Sequence, residues 1–147
     1  MIFDITKLRS EIILDEGHKM RNGLHVPYYD HLGYETIGYG TLIDAQKGGG
    51  LYEEEAIFIL EHRLTKICIV LNDKFEWFED LTEGRKRALC NMAYQLGIAG
   101  LLKFKKMLAA LAGGDYEKAF EEALDSKWAG QTPVRAGRVA KLLKEGE

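Results

Sequence analysis

The chain is short of several things, and each shortage narrows its chemistry. It has two cysteines, Cys68 and Cys90, and no C-x-x-C motif, so neither a disulfide framework nor a thiol redox motif is expected. Both fall inside apolar helical patterns and read as buried free thiols, since cysteine packs as a small hydrophobe. Its four histidines are scattered, with no pair at ligand spacing on one predicted element, so no metal and no cofactor are expected. Charge of one sign is lacking too. The formal net charge is −3, which argues against a general binder of nucleic acid or of anionic surfaces. No basic stretch followed by a long apolar run opens the sequence, and no apolar segment is long enough to cross a bilayer. A signal peptide and membrane insertion are therefore not expected. Synthesis and accumulation in the cytoplasm follow, so a target outside would be reached only if something else releases the protein. No internal repeat is visible.

What is present describes an ordinary globular chain. Of 147 residues, 46% are hydrophobic and 29% charged, enough for a real core in one domain that two small lobes can share. The texture changes near residue 50. Residues 1–50 open with a short helix, with Asp4 as N-cap and Gly17 just past its end. Then come Gly23, Pro27 and Gly33, and a β-hairpin over 25–30 and 34–39 joined at "DHLG". "DAQKGGG" at 44–50 reads as a loop. From 52 onward nearly everything reads as helix. Ile57, Leu60, Leu64, Ile67 and Leu71 mark one amphipathic helix over about 52–72, long enough at roughly 30 Å to connect two lobes. Further helices start at Thr82, within "LLKFKKMLAALAGG", at Asp115, and at Thr132 with Pro133 in its first turn. Gly97 reads as the stop of the Thr82 helix. The fold class expected is α+β: one domain over 1–147, with a small lobe at about 1–50, a connecting helix at about 52–72 and a helical lobe at about 73–147.

Two carboxyls in the small lobe stand out. Leu8, Ile12 and Glu16 are spaced i, i+4, i+8, which puts Glu16 on the apolar stripe at the last helical turn. Apolar surroundings and the negative end of the helix dipole both favour its neutral form, as a general acid requires. A solvated glutamate beside Asp15 fits the same spacing. Asp30, in a polar hairpin turn with backbone N–H groups nearby, should stay ionised; an ordinary Asx-turn residue fits there too. Thr36, on the strand running back past that turn, has a hydroxyl placed to hold a water, or is simply a good strand former. A protonated and an ionised carboxyl with a water between them is the apparatus of glycoside cleavage, and predicts a bell-shaped pH profile.

"LDEG" at 14–17 and "YYDHLGYETIGYG" at 28–40 resemble the glutamate–aspartate–threonine region of phage-type lysozymes, the T4-like family. "RALCNMAYQLG" at 87–97, "GLLKF" at 100–104 and "SKWAGQTPVRAGRV" at 126–139 are similar to that family's helical lobe, in the same order. The resemblance covers nearly the whole chain. It implies a lysozyme-like fold with a cleft between lobes. It implies an endo-β-1,4-N-acetylmuramidase that hydrolyses peptidoglycan strands with inversion. Glu16 would be the general acid, Asp30 the ionised partner that acts with the water, and Thr36 the hydroxyl that positions it. It further implies that Arg135 pairs with the acidic helix end at Asp15 and Glu16, and that Leu42, Tyr94 and Gln95 meet sugar; core packing is the alternative for Tyr94. An endolysin of this kind would work as a monomer on the cell wall and be released by a separate holin.

The sequence departs from the family in places. Glu16 and Asp30 lie further apart than is usual, by about five residues within "KMRNGLHVPYY", an insertion that a loop or a first strand tolerates, or one that shifts Asp30 or places His25 beside the cleft. Thr41 stands where the family often has histidine, and Met107 where it has a serine. The acidic balance weakens attraction to an anionic polymer. Two rival readings follow: a lytic transglycosylase, which makes an anhydro product without water, and a silent lysozyme-like domain that binds glycan or serves as a structural part of a phage tail. A DNA-binding helix built on "RVAKLLK" is set aside on net charge.

Overall fold

A computed structural model describes residues 4–147 of the chain. The elements run α1 (Ile5–Asp15), β1 (Met20–Arg21), β2 (Leu24–His25), β3 (Tyr28–Tyr29), β4 (Glu35–Ile37), β5 (Thr41–Leu42), α2 (Glu53–Lys74), α3 (Glu83–Leu102), α4 (Lys105–Ala112), α5 (Tyr116–Leu124), α6 (Lys127–Gln131) and α7 (Pro133–Glu145). The class is α+β, as the sequence indicates. The chain forms two compact units, one ending at Ile57 and the other spanning Phe58–Glu147.

The first unit is built around short antiparallel strands. Asp4 caps α1, its carboxylate accepting from the amides of Thr6 and Lys7. The expected single hairpin is instead two sheets. β1 and β2 pair as a separate two-stranded ribbon, with Met20 opposite His25. Its turn is Asn22-Gly23, both at positive φ (50° and 76°), the backbone that a tight hairpin needs and that Asn-Gly supplies cheaply. The residues that lengthen the Glu16–Asp30 spacing thus fold as an element of their own. β3, β4 and β5 form the second sheet, with Tyr28 opposite Thr36 and Thr36 opposite Leu42. Directly paired residues share a face, so Tyr28, Thr36 and Leu42 stand side by side. Beyond β5 the expected loop contains one 3-10 turn, Ala45–Lys47, capped by the Asp44 carboxylate.

The second unit is helical. The stripe on α2 sinks as it runs: Ile57 is 44% exposed and Leu71 fully buried. Leu71, Leu89, Met92, Leu101, Met107, Val139 and Leu143 are its largest fully buried side chains. Gly97 leaves helical dihedrals (φ 75°, ψ 162°) and kinks α3 where the sequence expects a stop. α5 ends at Leu124 because Ser126, with extended backbone, starts α6 by accepting from the Ala129 amide. Thr132 occupies the N-cap position of α7, but its hydroxyl makes no cap bond and donates to the Trp128 carbonyl at 3.1 Å. Pro133 has no N–H to be satisfied, which relaxes the need for that cap.

Arg85 closes the helical unit. It is buried, its Nε donates to the Leu143 carbonyl and its Nη2 to the Lys144 carbonyl, both at 2.9 Å. Its guanidinium lies over the Tyr116 ring at 3.4 Å. One cation thereby satisfies the last carbonyls of α7 and joins α3, α5 and α7. Arg85→Ala should cost about 2–4 kcal/mol, because a buried and a part-buried carbonyl lose a charged donor and the ring loses its cation. Urea denaturation checks this, and a loss under about 0.5 kcal/mol, the ordinary range for surface changes, would contradict the role.

Candidate functional site

The first unit holds Asp15, Glu16, Asp30, Thr36 and Leu42; the second holds Tyr94, Gln95 and Arg135. Each group is built by its own local chemistry.

Glu16 is the C-cap of α1, with extended backbone (φ −89°, ψ 144°), although its amide still bonds Ile12 at 2.8 Å. The ψ of 144° redirects the chain after Glu16 and leaves its own side chain at the end of the expected stripe. Glu16 is exposed, and α1 has no buried residue, so this unit does not provide the apolar shielding that the i, i+4, i+8 spacing suggests. Instead its carboxyl lies against the chain at Gly40. A Cβ built on Gly40 would sit 2.5 Å from Glu16 Oε2, and Gly40 has φ +83°. The left-handed backbone favours glycine there, while the Glu16 carboxyl could swing aside for a β-carbon. Just past Glu16, the Gly17 carbonyl accepts from the Tyr28 phenol at 2.8 Å, which moors the end of α1 to the β3–β4–β5 sheet.

Asp30 sits in the turn between β3 and β4. Its Oδ1 accepts from the Leu32 and Tyr34 amides, each at 2.9 Å, and its own amide bonds the Tyr34 carbonyl. The Tyr34 amide above all, helped by the Leu32 amide and the nearby His31 charge, holds its carboxyl below the usual aspartate range against a smaller opposing effect of desolvation. The Asx turn and the ionised carboxylate are thus one geometry. Oδ1 belongs to the turn, and Oδ2 has no hydrogen bond among the described residues. Thr36 is 3% exposed and its hydroxyl donates to the Tyr34 carbonyl at 3.0 Å. Its proton is therefore committed; what it has to offer a water is its acceptor lone pairs. Leu42 is its cross-strand neighbour.

In the second unit Tyr94 is 45% exposed and lines, with Arg63, Lys66, Ile67, Ala93 and Ile98, a groove of about 500 Å³. Gln95 Oε1 accepts from the buried Trp128 indole at 2.9 Å; an indole only donates, so the amide oxygen must face it and Nε2 is what remains. Arg135 Nε donates to Asn91 Oδ1 at 2.8 Å, and its Nη2 to the Asn91 carbonyl at 3.3 Å. Met107 is 1% exposed and fills core.

Several residues of the first unit were not singled out by sequence reasoning. Tyr28 and Gly40 are two; His18 and Tyr39 are two more, and they form an aromatic cluster with His25, which the sequence did single out. His25, delivered by the inserted ribbon, packs edge-on to Tyr39 at 4.8 Å between centroids, and His18 meets both rings at 5.8 and 5.4 Å. His25 Nδ1 is buried without a partner among the described residues. The ribbon therefore braces the segment that passes Glu16. The Asn22-Gly23 pair between alternating residues was the available signal for it. Groups of three or more potential metal ligands are absent among the described residues.

Comparison with known proteins bears on this arrangement. The family described as phage lysozyme matches residues 20–145. The pre-baseplate central spike protein Gp5 of Enterobacteria phage T4 is 32% identical over 90% of this chain, which spans 26% of that protein. Two proteins of Dictyostelium discoideum, probable T4-type lysozymes 2 and 1, are 28% and 26% identical, each over 97% of this chain and 96% of their own length.

The glycines beside Glu16 make a stability test. Gly40→Ala strains a left-handed backbone and makes the Glu16 carboxyl swing aside, and should cost about 1–2 kcal/mol. Gly17→Ala, with open space around it and no left-handed φ, should stay within about 1 kcal/mol. Equal losses in urea denaturation would remove the special role of Gly40.

Proposed function

Because the chain belongs to the phage lysozyme family, we propose that it is a glycosidase that hydrolyses the MurNAc–GlcNAc bond of bacterial peptidoglycan. The observation that best supports this is the first unit itself. Glu16, Asp30, Thr36 and Leu42 lie on neighbouring segments of one small unit, tied through Tyr28. In this reading Glu16 protonates the leaving glycosidic oxygen. Asp30, kept ionised by its turn, uses Oδ2 to orient or deprotonate the attacking water, and Thr36 accepts a hydrogen bond from that water. Attack from the face opposite the leaving group inverts the anomeric centre. In the second unit Arg135, held by Asn91, is a fixed cation in this reading. Tyr94 supplies a flat apolar face to a sugar ring, and Gln95 Nε2 and Leu42 complete the contacts. The same reading places the protein on the cell wall of a host, as an endolysin freed by a separate holin.

A second reading draws on the phage T4 spike protein, of which this chain matches about a quarter: a wall-degrading piece of a larger phage structure. It predicts the same chemistry in another setting.

Digestion of purified peptidoglycan, with mass spectrometry of the products, tests the chemistry. Wild type should release reducing muropeptides, and Glu16→Gln and Asp30→Asn should each lose at least about 100-fold in rate. Anhydro products with Asp30→Asn still active would mean a transglycosylase; binding without products would mean a silent domain. The pH profile of kcat/KM adds an independent check. Because the Asp30 carboxyl is held below its usual range, its ionised form is present at neutral pH and is lost only as pH falls through that lowered value. Activity should therefore persist to pH values at which an ordinary aspartate is half protonated. An acid limb above that range would contradict Asp30 as the ionised partner.

A further inference from the structure

Cys68 and Cys90 have no part in the glycosidase reading, and their placement is not that of two isolated thiols. Cys68 lies on α2 and Cys90 on α3, and their Sγ atoms are 3.0 Å apart. Both are free; Cys90 is buried and Cys68 exposed, which corrects the expectation that both are enclosed. The exposure arises because α2 turns the Cys68 position towards an open groove of about 440 Å³. Leu64, Glu83, Lys86, Arg87 and Asn91 line that groove together with the two cysteines. A disulfide bond is about 2.05 Å long, so roughly 1 Å of approach separates this pair from one.

We propose that Cys68 and Cys90 are an oxidisable dithiol that a small-molecule disulfide closes to an intramolecular disulfide, stapling α2 to α3. The groove gives such a reagent a way in to Cys68, while Cys90, 7% exposed at its wall, is far less open to direct attack. The Cys68 thiolate attacks one sulfur of the reagent, forms a mixed disulfide and releases the first reagent thiol. Cys90 then loses its proton and attacks the Cys68 sulfur, which forms the Cys68–Cys90 bond and expels the second reagent thiol. Two protein thiols are oxidised, one reagent disulfide is reduced to two thiols, and the two protons end on the released thiols. Burial, chiefly, and the Cys68 sulfur push the Cys90 thiol up to about 12; in the mixed disulfide the Cys68 contribution is gone but burial remains, so the second step should be the slower one and quicken as pH rises.

The bond would close the segment 68–90, which includes the connector between α2 and α3, and so restrict the unfolded chain. Reversibility follows from the same exchange: excess thiol reopens it. The site separates a reduced form, as made where thiols are kept reduced, from a stapled form in an oxidising setting.

The test uses the full chain, reduced and then incubated with oxidised glutathione. Intact mass should fall by about 2 Da, and the titratable thiols should go from two to none. The melting temperature should rise by roughly 5–10 °C and return when dithiothreitol is added. Cys90→Ser should instead trap one glutathione on Cys68, and Cys68→Ser should stay unmodified in the same time; melting curves confirm that both variants fold. A wild-type chain that gains two glutathiones, forms only intermolecular dimers, or keeps both thiols after incubation at pH 8.5 would overturn the proposal. So would a disulfide that forms without raising the melting temperature, since α2 and α3 would then not be stapled in their native places.

Discussion

The register of one tyrosine fixes the geometry of the small unit. Tyr28 pairs with Thr36 across the sheet, Thr36 with Leu42, and the Tyr28 phenol reaches back to the Gly17 carbonyl. That one side chain ties together the end of α1, where Glu16 sits, the strand leading into Asp30, and the strand bearing Thr36. A one-residue slip would send Tyr28 to the other face of the sheet and break the tie. Gly40, in the turn before β5 and at positive φ, lies against the Glu16 carboxyl from the far side.

The segment between Glu16 and Asp30 has structure of its own. An Asn-Gly turn makes the extra residues a self-contained ribbon, and His25 and His18 pack with Tyr39 beside Gly40. The insertion therefore adds a wall to the unit where a longer loop would add only slack. Asp30 illustrates a second economy: the backbone amides that make its turn also stabilise its charge. Competing descriptions of Asp30 as a turn residue and as an ionised partner are two consequences of the same two hydrogen bonds.

In the helical unit, buried polar contacts specify where apolar packing alone would leave freedom. Arg85 gathers the carbonyls that end α7, Gln95 receives the Trp128 indole, and Arg135 is aligned by Asn91. Each is a paired donor and acceptor from distant parts of the chain, so each enforces one register of the helices. The membership of the chain in the phage lysozyme family is consistent with this economy, as the motif residues Trp128, Gln95 and Arg135 all serve such bonds.

By itself the sequence determined the local choices. The 3-4 spacing of apolar residues placed α2, Asp4 and Asp115 capped their helices through side chains, Gly97 interrupted α3, and "DHLG" made the turn at Asp30. These depend on neighbours within a few residues, whose preferences are readable one stretch at a time. The tertiary structure decided what depends on partners far along the chain. It left the stripe that ends in Glu16 without cover in its own unit, and it set Gly40 against the Glu16 carboxyl. It committed the Thr36 proton and the Gln95 oxygen, turned Thr132 from a cap into a donor to Trp128, and brought Cys68 to Cys90. No periodicity encodes a contact between positions 16 and 40 or 68 and 90, because such contacts exist only once packing has chosen which surfaces meet.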